Sequence, residues 1–180
     1  MRRAFLLLLL CGCASAGTSP PTSDSTPKQA VIYTSPETGT LLGERPRASS
    51  IIIAAPPAGV WLAVKKVYGD WEIPLTIENT STRQIGNANF YRVRQMAGES
   101  MAKFVDCGSG MTGPKALTYR IYISLLTDVI PDGKGGTRLQ ATFVAMGQDV
   151  AGGSTDRIPC GTTGRLEQLL LDRVASLAKP

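Results

Sequence analysis

Leu117-Thr118-Tyr119-Arg120-Ile121-Tyr122-Ile123-Ser124-Leu125 alternates without a break. Leu117, Tyr119, Ile121, Ile123 and Leu125 fall on one face, and Thr118, Arg120, Tyr122 and Ser124 on the other. Strand side chains alternate with a period of two, so this stretch predicts a strand with one buried and one wet face, as antiparallel sheets permit. Asp132-Gly133-Lys134-Gly135-Gly136 follows as a turn. Arg138 to Met146 then returns as the partner strand, with Leu139, Ala141, Phe143 and Ala145 on its inner face.

Upstream of this hairpin the same signals are shorter. Leu75-Thr76-Ile77 predicts a strand with Pro74 at its first position or on an edge. Phe90 to Arg94 and Lys103 to Cys107 predict two more, and Thr82 to Ile85 pairs beside them. Ile51-Ile52-Ile53-Ala54 is a short β-branched run, expected as a buried strand. Pro56-Pro57 ends it, and Pro57 suits the first position of a helix, where its missing N–H has no partner to lose. Val60, Trp61, Val64, Val67 and Tyr68 then form a helical apolar stripe, with Lys65 and Lys66 off it and Gly69 expected as the C-terminal cap.

Downstream lies a second, longer helix. Leu166, Leu169, Leu170, Val174, Leu177 and Ala178 make its stripe, while Arg165, Gln168, Asp172, Arg173 and Ser176 fall mostly elsewhere. Thr163 is the expected N-cap, and Glu167 is expected to place negative charge in the first turn. A one-sided sheet and two one-striped helices bury most surface if both helices pack on the sheet's apolar face. The expected fold is therefore α+β: a two-layer domain over residues 50–180, with an antiparallel sheet, one helix after the first strand and one long C-terminal helix.

The first residues are of another kind. Met1-Arg2-Arg3, the apolar run Ala4 to Leu10 and the small residues after it have the layout of an export signal, with an apolar core too short to span a bilayer. Leu10-Cys11-Gly12-Cys13 resembles the lipobox of bacterial lipoproteins. That resemblance implies removal of residues 1–12 and a lipid on Cys13. Residues 13–49 then read as the lipidated N-terminus and a flexible Ser/Thr/Pro-rich tether, within which Ala30 to Tyr33 has the composition of a short strand interrupted by Ser35 to Gly39. Beyond the signal no apolar run approaches the ~20 residues of a membrane helix, so the expected anchor is lipid. Ala14 after Cys13 is not the Asp of lipoproteins retained at the inner membrane, and by that resemblance the outer membrane, on its periplasmic side, is favoured.

Charge and cysteines narrow the chemistry. Loss of Arg2 and Arg3 takes the net charge from +5 to +3, with Lys65-Lys66 the one adjacent basic pair after the signal, and this gives no strong case for nucleic acid, which is usually met by a concentrated basic patch. Once Cys11 leaves and Cys13 is acylated, Cys107 and Cys160 remain as an even pair in an oxidising compartment, expected to form a disulfide. They stand 53 residues apart, and closing such a loop stabilises by roughly 4 kcal/mol in the chain-entropy model. Two thiols and no His do not make a usual zinc set, and no cofactor is expected.

The absence of His also excludes Ser-His-Asp and Cys-His catalysis. Ser100-Met101-Ala102-Lys103 matches a Ser-x-x-Lys pattern without its companion motifs, so a hydrolase using Ser100 and Lys103 is the weakest of three readings. Gly108 to Lys115 is a near miss to a phosphate loop, since Pro114 interrupts it and removes a donor. Gly133-Lys134-Gly135-Gly136 has the composition of a small anion nest but reads more simply as a hairpin turn. Asp70 and Glu72 flank Trp71, with Glu78 beyond, at no fixed catalytic separation. Trp61 and Trp71 are candidates for a cavity lining, though Trp61 has core spacing.

In element order the domain is helix-grip-like and resembles the BamC-like lipoproteins of the outer-membrane barrel-assembly machinery. The resemblance implies an envelope lipoprotein with a binding role. A tethered compact domain with no recognisable catalytic constellation is expected to be a non-catalytic, membrane-anchored protein that binds another envelope component, in outer-membrane protein assembly or maintenance, through a sheet edge or the loops 108–115 and 131–136. The alternative is a lipid or small apolar ligand held between the long helix and the sheet. There Ala141, Ala145 and Ala178 leave space, and Tyr119, Phe143 and Leu170 fill it.

Overall fold

The computed structural model describes residues 31–35, 39–43, 48–152 and 155–178. Cys13 and residues 1–12, the span expected to be a signal, lie outside the described residues. Within the span read as a tether, β1 (Val31–Ser35) and β2 (Gly39–Gly43) pair as an antiparallel hairpin. The domain then runs β3 (Ser49–Ile53), α1 (Pro57–Asp70), β4 (Ile77–Asn79), β5 (Gln84–Val93), β6 (Gln95–Met96), β7 (Glu99–Ser100), β8 (Val105–Asp106), β9 (Ser109–Gly110), β10 (Gly113–Pro114), β11 (Arg120–Pro131), β12 (Thr137–Gln148), β13 (Arg157–Thr162) and α2 (Arg165–Leu177).

The main sheet is antiparallel, in the order β4-β5-β11-β12-β13-β8. The other side of β12 is shared end to end: Thr137–Ala141 pairs with β3, and Ala145–Gln148 with β13. Ile121, Ile123, Leu125 and Val129 of β11, and Leu139, Ala141, Phe143 and Ala145 of β12, are all at most 3% exposed and share one face. Helix α1 lies over β11, α2 over β12 and β3, and the helices pack on each other. The two-layer α+β arrangement expected from the alternation is the one observed.

Tyr68 fastens α1 to the sheet. Its hydroxyl donates to the Leu125 carbonyl at 3.1 Å and lies 3.0 Å from the Thr127 hydroxyl. This accounts for a threonine on the apolar face, because each buried hydroxyl satisfies the other. Burial pushes the Tyr68 phenol well above its ordinary pKa.

Several boundaries differ from the sequence expectation. Strand β11 starts at Arg120, not Leu117, because the Thr118 and Tyr119 amides both turn back to the Lys115 carbonyl and close a 3₁₀ turn at Lys115–Leu117. Strand β3 buries only Ile53, and Ile52 is 58% exposed, since among the described residues no layer covers its outer face. The strand near residue 75 is Ile77–Asn79, while 82–85 and 90–94 merge into β5. There Gly86 is required, as an added Cβ would collide with the Leu125 carbonyl oxygen. Residues 103–107 are not one strand: Met101–Lys103 is a 3₁₀ turn and only Val105–Asp106 pairs. Gly69 does not end α1, which continues to Asp70. Thr163 is displaced by Gly164 (φ 80) as N-cap. The Thr163 hydroxyl instead donates to the Lys103 carbonyl at 2.7 Å and accepts the Arg165 amide at 3.3 Å. Leu171 joins the buried stripe of α2.

Glu167 stands in the first turn of α2, as expected. It is fully buried, and neither carboxylate oxygen has a hydrogen-bond partner among the described residues. Desolvation holds its pKa above the ordinary carboxylate value.

Candidate functional site

Helix α1 ends in a motif that aims backbone carbonyls at the sheet. The Ile73 amide bonds the Tyr68 carbonyl at 2.8 Å and the Glu72 amide bonds Gly69 at 3.0 Å, with Glu72 at φ 56. This is a Schellman cap whose left-handed residue is Glu72, where glycine is the usual choice. Arg92 of β5 then donates to the Trp71 and Glu72 carbonyls at 3.2 and 2.7 Å. Its positive charge sits at the negative end of the helix, a favourable placement.

Beyond Arg92 the chain reverses sharply. Arg94 is at φ 64, and the loop joining β6 to β7 is Ala97 (φ 52) and Gly98 (φ 78), both positive as a type I′ hairpin requires. Four non-glycine residues among those described have positive φ. Three of them, Glu72, Arg94 and Ala97, belong to this corner, and such backbone persists where surrounding structure enforces it.

The corner bounds an open cleft of about 800 Å³. One wall is the end of α1, from Asp70 to Glu72; another is the stretch Gln95 to Gly98; Leu169 and Arg173 of α2 close the third side. Trp71, Met96 and Leu169 give it apolar surface, while Asp70, Glu72, Arg92 and Arg173 place both signs of charge at its edge. An apolar lining with a few convergent polar groups is the usual make-up of a binding site.

The structure sorts the other candidates. The sulfurs of Cys107, the residue after β8, and Cys160 of β13 lie at disulfide distance. Gly147 lies beneath them: an added Cβ there would sit 3.1 Å from the Tyr119 ring and 3.2 Å from the Cys160 sulfur. Lys103 is held by Glu99 at 3.2 Å, and Glu99 also binds Arg165 at 2.8 Å. The loop 108–115 is a small hairpin of β9 and β10 whose Lys115 lies 5.7 Å from the Tyr119 ring centre. The turn 132–136 is occupied by its own carboxylate: Asp132 Oδ1 accepts the Lys134 and Gly136 amides at 2.7 and 2.8 Å. Phe143, Leu166 and Leu170 fill the layer between α2 and the sheet, each fully buried.

Trp71 was legible as a lining candidate; Arg92, Ala97 and Leu169 were not. Only the fold brings β5, the β6–β7 turn and α2 together, and Ala-Gly lacks the Asn-Gly or Asp-Gly signature that flags such turns. No family model and no curated protein matches the chain.

Proposed function

We propose that the chain is a non-catalytic, lipid-anchored protein of the bacterial envelope, held by a lipid on Cys13 to the outer membrane on its periplasmic side. Its α+β domain binds another envelope component in the cleft between the end of α1, the β6–β7 turn and α2. The observation that carries the binding role is the cleft itself, with apolar and charged groups held on a conformationally demanding corner. Such a surface suits a loop or peptide of a protein partner, with Trp71 as the apolar contact and Arg173 as an ionic one. The signal and lipobox support the location, and the disulfide-distance pair suits an oxidising compartment. Element order favours a place in outer-membrane protein assembly or maintenance.

Two measurements test this reading. Intact mass of the protein from native membranes is expected to give a chain starting at Cys13 with added acyl mass; an unmodified N-terminus overturns the anchor. A photocrosslinker at Gln95, an exposed cleft residue, is expected to capture one protein reproducibly and to lose it with Trp71→Ala. Crosslinking indistinguishable from a site on the opposite face overturns the cleft.

A further inference from the structure

The face of the sheet turned away from the helices carries a second feature, built by register across four strands. Val93, Arg120, Gln148 and Arg157 stand opposite one another on β5, β11, β12 and β13. Two residues along, Tyr91, Tyr122, Met146 and Pro159 form the next row. A basic row is thus set beside an aromatic and apolar one.

The two rows are locked together. The Tyr91 and Tyr122 rings lie 6.1 Å apart. The Arg120 guanidinium is 4.9 Å from the Tyr91 ring centre, and that of Arg157 is 3.5 Å from the Tyr122 ring centre. The Tyr122 hydroxyl donates to Gln148 at 2.9 Å. A hydrogen bond from Arg120 first, and the charge of Arg157 after it, pull the Tyr122 phenol below its ordinary pKa. The Nε of Arg120 is buried with no partner among the described residues, and the outer N–H groups of a guanidinium stacked on a ring match the oxygens of a phosphate. Tyr91 and Val93, 53% and 46% exposed, add apolar surface that water solvates poorly. Arginines beside exposed tyrosine and aliphatic side chains are the composition of surfaces that sit at a membrane–water boundary.

We propose that this face is a membrane-contact site, with Arg120 and Arg157 binding the phosphates of anionic phospholipid headgroups and Tyr91 and Val93 resting against the lipid boundary. The proposal rests on the lipid-anchored reading, because an acyl group on Cys13 keeps the domain at a lipid surface. It gives the domain a defined orientation there, with both helices turned away from the bilayer.

The test uses the full chain carrying Cys13→Ser, which cannot be acylated, with vesicles of phosphatidylcholine with or without phosphatidylglycerol. The apolar signal is common to every variant, so the phosphatidylglycerol-dependent part of binding is compared. Arg120→Gln and Arg157→Gln are each expected to weaken it about fivefold, and the pair about 25-fold. Arg138→Gln, on the same face beside Ile52 and Ile130, is expected to have a smaller effect. Tyr91→Ser, at an exposed site, is expected to weaken binding without changing its salt dependence. Unchanged binding in the double variant, or equal loss with Arg138→Gln, overturns the proposal. Inorganic phosphate serves as the other arm: saturable binding of phosphate with no vesicle binding assigns the site to soluble phosphate esters and overturns the membrane contact. Acyl mass on Cys13 is measured separately, so loss of the anchor and loss of this contact are distinguishable.

Discussion

The β11–β12 hairpin and the stretch from Gln95 to Leu117 adjoin in the chain and are held by different means. The hairpin is a twelve-residue ladder whose inner side chains alternate from Ile121 to Val129 and from Leu139 to Ala145. The other stretch contains five two-residue strands and two 3₁₀ turns. It is held by clamps: the Cys107–Cys160 pair, the Thr163 hydroxyl on Lys103, the Met101 amide on the Arg94 carbonyl, and Glu99 between Lys103 and Arg165. Periodic burial specifies a strand locally, whereas an aperiodic segment takes its shape from partners elsewhere in the chain.

The hairpin therefore breaks first through its core. Phe143→Ala removes a fully buried ring and is expected to cost about 3–5 kcal/mol. Urea unfolding measures this; a loss below about 1 kcal/mol would mean the inner face is not the packed core. The clamped stretch breaks through its crosslink. Replacing Cys107 and Cys160 together by Ala is expected to cost about 2–4 kcal/mol, and hydrogen exchange should rise first in residues 95–117 rather than in β11 and β12. Uniform exchange through both regions would dissolve the contrast.

Glu167, at the start of α2 where the chain leaves the clamps, is expected to act in the opposite sense. Its folded pKa lies above the unfolded value. The stability it contributes is complete below the ordinary carboxylate pKa and falls as pH rises through the raised value. Glu167→Gln should therefore stabilise at neutral pH, by about 1 kcal/mol or more, and the gain should vanish in acid. A pH series of melting temperatures decides it; a gain independent of pH would exclude this cause. The smallest effect is expected at Glu99, whose pKa is lowered by Arg165 and then Lys103. Its contribution is present above the unfolded carboxylate pKa and is lost as pH falls through the lowered one. Glu99→Gln should weaken the protein slightly at neutral pH, and added salt should erase the difference; a difference that survives high salt would point to packing instead of charge.

Legibility followed the same division. Ile121, Ile123 and Leu125 declared their face, as did Leu139 to Ala145 and most of the α2 stripe, because burial repeats at the period of the element. Lys103 to Cys107 failed as a strand, since its apolar residues serve a turn and a two-residue pairing. Glu167 stands in the first turn of α2 as expected, but its burial was not legible, because packing across the domain sets it. Gly69 failed because the left-handed cap residue fell at Glu72, where local propensity argues for glycine. Trp71 was a candidate for the site, but its companions Arg92, Ala97 and Leu169 come from three other segments.

By itself the sequence determined the central hairpin, the two amphipathic helices and hence the α+β layering, because period and polarity are local properties that survive any register. It also carried the pairing of Cys107 with Cys160, since only two cysteines lie beyond Cys13. Tertiary structure alone decided the sharing of β12 by β3 and β13, the strained corner of the cleft, and the row from Val93 through Arg120 and Gln148 to Arg157. These depend on which strands become neighbours and in what register, a choice made by burial over the whole domain.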